Sequence, residues 1–543
     1  LLLGVALLAS ALLVIALCWN LTFFQDTWAF LLDRQGFSAS DFLAPHNEHL
    51  VVIPEAINKL CLALFGMSTA RPEMLIMTAS LVASGALLFV YVRRRTSPWL
   101  ALMAAVLLLF LGSAWPILLW PFELEFSGAL MAGLAMMLLL ERDDRRGDAW
   151  ACLMLVISIG FGSLGISFAA AALVDVFQKR KSRGWARAYV AVVPLLLYVA
   201  WYAGWGHEAE HHLTLHNVLM SPQYLFDGFA SSVDSLAGLS SIPVNSPGQP
   251  DWGRPLLLAL IGLAIYGQSR KPGLSPRFWP AAAAGVSYWL LAAFNFIPGR
   301  EAASSRYVYA GAVFVLLIAA DLLEGVRFSR RALWIGAALT ALALGPNLAQ
   351  MKDGAGWLKE QTLLTRSDTA ALEIAQKTVS PYFSLATPDT TGTASLALVN
   401  AQLYREAVEA HGSPAYSVEE LASAPEGGRH WADVVLSQAL PLSTTTRPGG
   451  PLPGDPARCT TLPGGAGEAT PELRLRPGLT RIWLAPGSQA DLFLRRFAVD
   501  EYPVDLGAMA GGSVTLLRVP RDEAPQQPWY LRVEAAQPLQ LCR

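Results

Sequence analysis

Long apolar runs recur through the first two thirds of the chain, and they constrain its fold more than any other feature. About 20 apolar residues in a helix cross the ~30 Å hydrocarbon core of a bilayer. Backbone in lipid must satisfy its own hydrogen bonds, so such runs must be helical. They fall at Leu1–Asn20, Met74–Val92, Leu100–Ala114, Phe126–Leu140, Ala188–Trp205, Pro255–Tyr266, Phe278–Phe296, Tyr309–Leu323 and Leu333–Leu344. Leu1–Asn20 has no small-x-small cleavage pattern and is read as a spanning helix, not a signal peptide. Only 15% of the residues are charged, against about 25% in an average soluble domain. The net charge of -2 says nothing about nucleic acid, and no basic tract suggests it.

Two segments fit this scheme poorly. Cys152–Phe177 is interrupted by Gly160-Phe161-Gly162-Ser163-Leu164-Gly165 and flanked by charged residues. It reads as two short helices meeting at a glycine-rich tip, which is tolerated only where protein or a water-filled cavity covers it. Leu50–Leu64 carries Pro54, Glu55, Asn58 and Lys59, which are costly in lipid. If that segment stays outside the bilayer, the basic clusters at 93–95, 179–187, 270–277 and 327–331 all fall on one side, as cytoplasmic loops require. The expectation is a mainly α polytopic membrane domain, residues 1–347, of about eleven spans with a cytoplasmic N-terminus and an outer juxtamembrane loop 23–72. Residues 222–238 read as a surface helix.

The tail is different. Residues 348–440 read as an extracytoplasmic helical segment. After the Pro/Gly-rich stretch 447–470, ELRLR, TRIWLA, ADLFLRRFAV, SVTLLRV and WYLRVEA alternate apolar and polar residues between turn signals. That pattern predicts a small β-sandwich over 441–543. Cys459 and Cys542 bracket it; a disulfide fits an oxidising compartment, and two free thiols are the other reading.

Polar side chains concentrate in Phe23–Gly66. Asp26 follows the first span and can be a general base, a metal ligand or a helix cap. Pro45-His46-Asn47-Glu48-His49 can bind a metal, orient a phosphate or cap a following helix, with Pro45 suited to the helix N-terminus. Glu123 and Glu125 follow Trp115, Trp120 and Phe122 on a second outer loop, as site acids or as solvated acids in an aromatic belt. Arg306 and Arg300 lie at the outer edge of a late span, where a guanidinium can pair with a lipid phosphate or anchor at the interface. His207-Glu208-Ala209-Glu210-His211 matches H-E-x-x-H, a zinc-protease pattern when it lies on a helix.

The layout resembles the C-type (GT-C) membrane glycosyltransferases, such as aminoarabinose transferases and protein O-mannosyltransferases. Gln25-Asp26-Thr27-Trp28 stands where that family has its early acidic residue. Pro45-His46-Asn47-Glu48-His49-Leu50, ahead of Ala63-Leu64-Phe65-Gly66, stands where it has a basic-Pro-Pro segment running into Leu-Phe-Gly. The broken pair at 152–177 and Ser304-Ser305-Arg306-Tyr307 resemble its glycine-containing helix pair and its Arg-Tyr signature. The chain lacks the second early acid, the Pro-Pro pair and the lysine of the broken pair, as in a divergent relative.

The resemblance implies an outer-face transferase that moves a sugar from a polyprenyl-phosphate donor to a glycan, lipid or protein acceptor of the cell envelope. Asp26 is then the general base. Arg306, His49 and Arg300 bind the donor phosphate, and His46, Asn47, Glu48, Glu123 and Glu125 line the site. A divalent metal on Asp26, Glu48 and His49 is the one cofactor it admits. Two other readings do not require Asp26. One is a polyprenyl-lipid transporter or envelope scaffold with a carbohydrate-binding tail. The other is a membrane zinc metalloprotease built on His207, Glu208 and His211.

Overall fold

The computed structural model describes residues 1–240, 252–270, 273–385, 399–451, 459–462, 472–535 and 539–542. Most of the Pro/Gly-rich stretch 447–470 lies outside them, as does part of the basic cluster at 270–277. The described chain is mainly helical, with β-structure confined to its C-terminal part. Its helices are α1 (Leu2–Cys18), α2 (Thr27–Leu32), α3 (Ala39–Leu43), α4 (Val52–Phe65), α5 (Arg71–Arg93), α6 (Pro98–Leu109), α7 (Trp115–Leu119), α8 (Leu124–Leu140), α9 (Arg145–Phe161) and α10 (Gly165–Arg183). They continue with α11 (Tyr189–Gly204), α12 (Leu215–Leu236), α13 (Gly253–Gln268), α14 (Phe278–Phe294), α15 (Ser305–Leu322), α16 (Arg330–Ala375), α17 (Ala401–His411), α18 (Val418–Ala422) and α19 (Glu426–Ala439). Two compact units result, one of residues 1–21, 36–64 and 70–358, the other of 22–35, 65–69 and 359–543.

Arg71–Arg93, Pro98–Leu119, Pro121–Leu140, Trp185–Gly204 and Ser305–Leu322 of the first unit, and Arg330–Ala375, which begins in it and ends in the second, are long and apolar enough to cross a membrane. Leu2–Cys18, Gly253–Gln268 and Phe278–Phe294 are shorter apolar helices. α4 belongs to neither group. Its 14 residues rise about 21 Å, short of the ~30 Å core. One face of α4 exposes Leu60 and Leu64, while Glu55, Asn58 and Lys59 turn inward. There Lys59 Nζ lies 3.2 Å from Glu55 and donates to the Gly36 carbonyl at 2.7 Å. Asn58 donates to Glu73 at 3.0 Å.

The broken segment differs from its sequence reading. α9 has 17 residues and α10 has 19, so at 1.5 Å per residue they rise about 25 and 28 Å. Each helix extends into the flanking charged residues. Those charges are matched there: Arg187 lies 2.7 Å from Asp148 and 3.2 Å from Asp175, and Lys179 lies 2.9 Å from Asp175. The break itself is where the glycines are. A Cβ on Gly165 would stand 2.5 Å from the Ile159 nitrogen. α8 packs on α9 and α10 because Gly128 and Gly133 admit the rings of Phe161 and Phe168.

α12 begins earlier than the expected surface helix and packs on α13, α14 and α15. Gly228 of α12 and Gly311 of α15 both face Trp289 of α14. α16 runs without interruption through the segment expected to divide a last span from a separate helical region. Pro346 lies inside it. The side chain of Asn347 donates to the Ser235 and Ala343 carbonyls at 3.1 and 3.0 Å and accepts from the Ser113 amide at 3.2 Å.

In the second unit, Trp28 lies 6.0 Å from both Phe23 and Tyr404, ring to ring. Met67 N donates to the His411 carbonyl at 2.7 Å. The β-structure consists of β1 (Ser443–Pro448), β2 (Cys459–Leu462), β3 (Glu472–Arg474), β4 (Gly478–Leu484), β5 (Gln489–Arg495), β6 (Val504–Ala510), β7 (Ser513–Val519), β8 (Tyr530–Ala535) and β9 (Leu539–Cys542). One antiparallel sheet has the order β1-β7-β4-β9-β2 and the other β3-β8-β5-β6. Alternate residues are buried, Thr480, Ile482 and Leu484 on β4 and Ala490, Leu492 and Leu494 on β5, so each sheet buries one face. Cys459 and Cys542 face each other across β2 and β9 and are disulfide-bonded.

Candidate functional site

The polar segment before α4 is a tight turn. His46 N donates to the His49 carbonyl at 3.1 Å, and His49 N to that of His46 at 2.9 Å. Asn47, between them, has φ +50°, a left-handed conformation that Asn tolerates better than most side chains. The sequence suggested a helix starting at Pro45; the helix begins only at Val52. The turn places His46 and His49 opposite each other as a bridge pair instead of on one helical face.

Glu48, on this turn, ion-pairs with Arg300. Both side chains are largely buried, 11% and 16% exposed. The Glu48 carbonyl accepts from Ser163 Oγ, at the break between α9 and α10, at 3.5 Å. Arg300 sits on the loop between α14 and α15, which is pinned from α12. Tyr224 donates to the Arg300 carbonyl at 2.7 Å, and Asn217 to the Phe294 and Phe296 carbonyls at 3.2 and 3.0 Å. Arg306 lies in the first turn of α15, its guanidinium 5.3 Å from the Tyr307 ring centre.

Glu123 and Glu125 are both buried, which excludes solvated acids in an aromatic belt. The aromatic residues beside them pack inward as well: Phe122 stacks on Trp120 at 5.2 Å and meets the His46 ring edge-on at 5.2 Å.

These elements line a cavity of about 120 Å³ that opens to solvent. Glu48, His49, Glu125, Ser163, Asn295 and Tyr307 make its polar part. Phe126, Leu164, Ile166, Leu291 and Ala292 make an apolar wall, with Tyr198 and Tyr288 between the two. Glu48 Oε2 and His49 Nδ1 are buried without a hydrogen-bond partner. Burial pushes the His49 imidazole down to about 4; Glu48 opposes this, while His46, Arg300 and Arg306 add to it. His49 is therefore neutral at pH 7, a hydrogen-bonding group and not a cation. Its sign in folding follows. Between about 4 and the ordinary ~6.5 of an unfolded His, the unfolded chain binds more protons, so stability falls as pH falls through that window. His49→Gln should flatten this acid limb in thermal melts between pH 6.5 and 4; an unchanged limb would assign the loss to other groups.

Two sequence-derived ideas meet different geometry. His207 and Glu208 lie in a single 3₁₀ turn, and Ala209 is extended, so no helix sets His207 and His211 one turn apart. His211 instead lies 3.0 Å from the Tyr202 hydroxyl. Among the described residues, no group of three or more His, Cys, Asp or Glu side chains is placed to hold a metal ion. No chemistry is assigned to a metal.

Asp26 belongs to the second unit. It precedes α2 as its N-terminal flanking residue, and its side chain does not cap the helix. His46, Asn47, Glu48, His49, Glu123, Glu125, Arg300 and Arg306 all belong to the first.

Among solved structures, the chain is similar to ArnT from Cupriavidus metallidurans in a crystal structure bound to undecaprenyl phosphate. The match covers 82% of this chain and 92% of the other, at 14% identity and a TM-score of 0.45. No protein-family model matches the chain, and no curated protein matches it in sequence. So slight a likeness assigns no family, and the site must be read from its own residues.

The glycine break at 160–165 lines the cavity through Gly162, Ser163 and Leu164. Four polar cavity residues escaped the sequence reading: Ser167, Tyr198, Tyr288 and Asn295 sit in or beside apolar helices, where a lone polar residue reads as a packing group.

Proposed function

We propose that the chain is a membrane glycosyltransferase that takes a sugar from a polyprenyl-phosphate donor and passes it, outside the cytoplasm, to a cell-envelope acceptor. The observation that carries this reading is the two-sided cavity. One part offers carboxylate, imidazole, amide and hydroxyl groups, with the Arg300 guanidinium paired behind them to Glu48; the other is a wall of apolar residues from helices of the membrane unit. A phosphate headed by a sugar and tailed by isoprene units has the same division. Guanidinium groups suit phosphate oxygens, and a neutral His49 can hydrogen-bond without adding charge.

The reaction is a substitution at the anomeric carbon. An acceptor hydroxyl oxygen forms the new bond, and the bond to the phosphate oxygen breaks with its electron pair leaving on the phosphate. The acceptor proton passes to a base, the role proposed for Asp26. Arg300 and Arg306 would stabilise the charge that develops on the leaving phosphate. The second unit, with its two antiparallel sheets, would sit on the acceptor side of the membrane.

The test is turnover of polyprenyl-phosphate sugars by the purified full chain in lipid nanodiscs. Sugar release or transfer is expected, with Asp26→Asn slowed by about 100-fold or more. Wild-type turnover by Asp26→Asn would remove the base assignment. Tight donor binding without any sugar release would favour a lipid carrier over an enzyme.

A further inference from the structure

The Glu48–Arg300 pair is an odd feature for a phosphate site. It sets a carboxylate against the guanidinium that the donor phosphate would use. Glu48 contributes one oxygen to Arg300 and turns the other, unpartnered, toward buried space beside the cavity. Nothing on its own turn needs that carboxylate: the turn closes through backbone bonds, and its link to the α9–α10 break uses the Glu48 carbonyl.

The wider balance has the same sign. Glu48, Glu123 and Glu125 bring three carboxylates to this region, against the guanidinium groups of Arg300 and Arg306, both of which act on His49. A sugar donor is a phosphodiester with one negative charge. The polyprenyl phosphate left after transfer is a monoester, with a charge of roughly -1.5 to -2 at pH 7, as its second pKa is about 6. Each added charge meets the same largely buried acids, and between buried groups charge–charge terms are larger than in water.

Resting on the glycosyltransferase reading above, we propose that Glu48 is a built-in competitor for Arg300 that admits the singly charged donor and expels the doubly charged product. When the donor binds, Arg300 is shared between the phosphodiester and Glu48. After the sugar leaves, repulsion between Glu48 and the second phosphate charge weakens the product, and the carboxylate recaptures the guanidinium as the product departs. Glu48 touches neither the anomeric carbon nor the acceptor in this scheme. It is a positioning residue, and its signature is a ratio of affinities, with KM and kcat falling together as product release slows.

The experiment measures binding of farnesyl phosphate, a monoester, and of its methyl diester to the full chain in nanodiscs. The wild type should prefer the diester. Glu48→Gln should tighten the monoester by at least about tenfold and the diester by less than about threefold. In turnover it should lower both KM and kcat, as product release slows. Glu48→Asp withdraws the carboxylate from Arg300 while keeping its charge, and should shift the ratio in the same direction by less. In an Arg300→Ala background only the charge repulsion remains, so Glu48→Gln should tighten the monoester by less than it does with Arg300 present. An unchanged monoester-to-diester ratio in both Glu48 variants overturns the competitor role while leaving the donor reading intact. A wild type that binds neither compound overturns the donor reading itself.

Discussion

Arg300→Ala should lower kcat/KM for a polyprenyl-phosphate sugar by about 100-fold or more. A hydrogen bond to a charged group contributes about 1.5–3 kcal/mol, and each ~1.4 kcal/mol is a factor of ten. A guanidinium that meets two phosphate oxygens therefore accounts for about that loss. The substitution has a second consequence. It leaves the Glu48 carboxylate, 11% exposed, with no cation opposite it. Breaking a fully buried pair by removing one partner costs about 3–5 kcal/mol; the residual exposure here puts the cost toward the lower figure. The two effects separate in the double variant. Adding Glu48→Gln should return most of the thermal stability lost by Arg300→Ala and none of the turnover. Arg300→Lys should rescue stability better than activity, because an ammonium keeps the charge but not the two-pronged geometry. Turnover of Arg300→Ala within about threefold of wild type would show that the phosphate is held elsewhere.

Legibility in the sequence followed the range of the interaction responsible. Apolar runs such as Met74–Val92 and Phe126–Leu140 announce helices because burial in lipid or protein is written residue by residue. They lie within α5 and α8. The alternation of TRIWLA and ADLFLRRFAV is equally local, and it became β4 and β5. Leu50–Leu64 was set apart by Glu55 and Lys59, and α4 does turn those two groups toward each other. What failed was also local, but finer. Pro45 suggested a helix start, whereas Asn47, one of few residues at ease with positive φ, was the informative one. It made His46–His49 a turn.

Apart from the Cys459–Cys542 disulfide, long-range partnerships were not legible. Trp28 packs on Tyr404, and Met67 bonds to His411, so two pieces of the loop 23–72 join the C-terminal unit. No periodicity near residue 25 encodes a partner near residue 400. Arg300 and Glu48 are separated by 252 positions, and their pairing depends on where Tyr224 and Asn217 of α12 pin the intervening loop. Charge and position at a span edge could nominate Arg300; they could not say that its counterion would come from the protein.

In the second unit, Arg496→Ala should cost about 3–5 kcal/mol, the range for a buried ion pair that loses one member. Arg496 is 4% exposed. Its guanidinium meets both oxygens of Asp522, at 2.6 and 2.8 Å. It also donates to the Ala524 and Gln527 carbonyls at 2.8 and 2.9 Å. Alanine removes all four donations at once; Asp522 Oδ1 keeps the Ala524 amide and the Ala524 carbonyl keeps the Gln527 amide, but the buried carboxylate loses its cation, and lost donors to buried acceptors are costly. The same residue's amide, with those of Phe497 and Ala498, donates to the fully buried carboxylate of Asp433 on α19. Loss of the guanidinium should therefore loosen α19 as well as the loop after β5. Trp529 lies 5.6 Å from the guanidinium and is buried, so its fluorescence reports unfolding of this region. The apolar pair Arg496→Met with Asp522→Leu is the control: removing both charges avoids an orphaned ion and should recover much of the stability. Asp433→Asn tests the other arm, since an amide has one acceptor oxygen for three donors and brings an NH₂ that meets further N–H groups. It should destabilise the same transition by about 1–3 kcal/mol. A melt in which Arg496→Ala moves Trp529 fluorescence no more than an exposed substitution such as Arg474→Ala would show that the pair contributes nothing net to the fold.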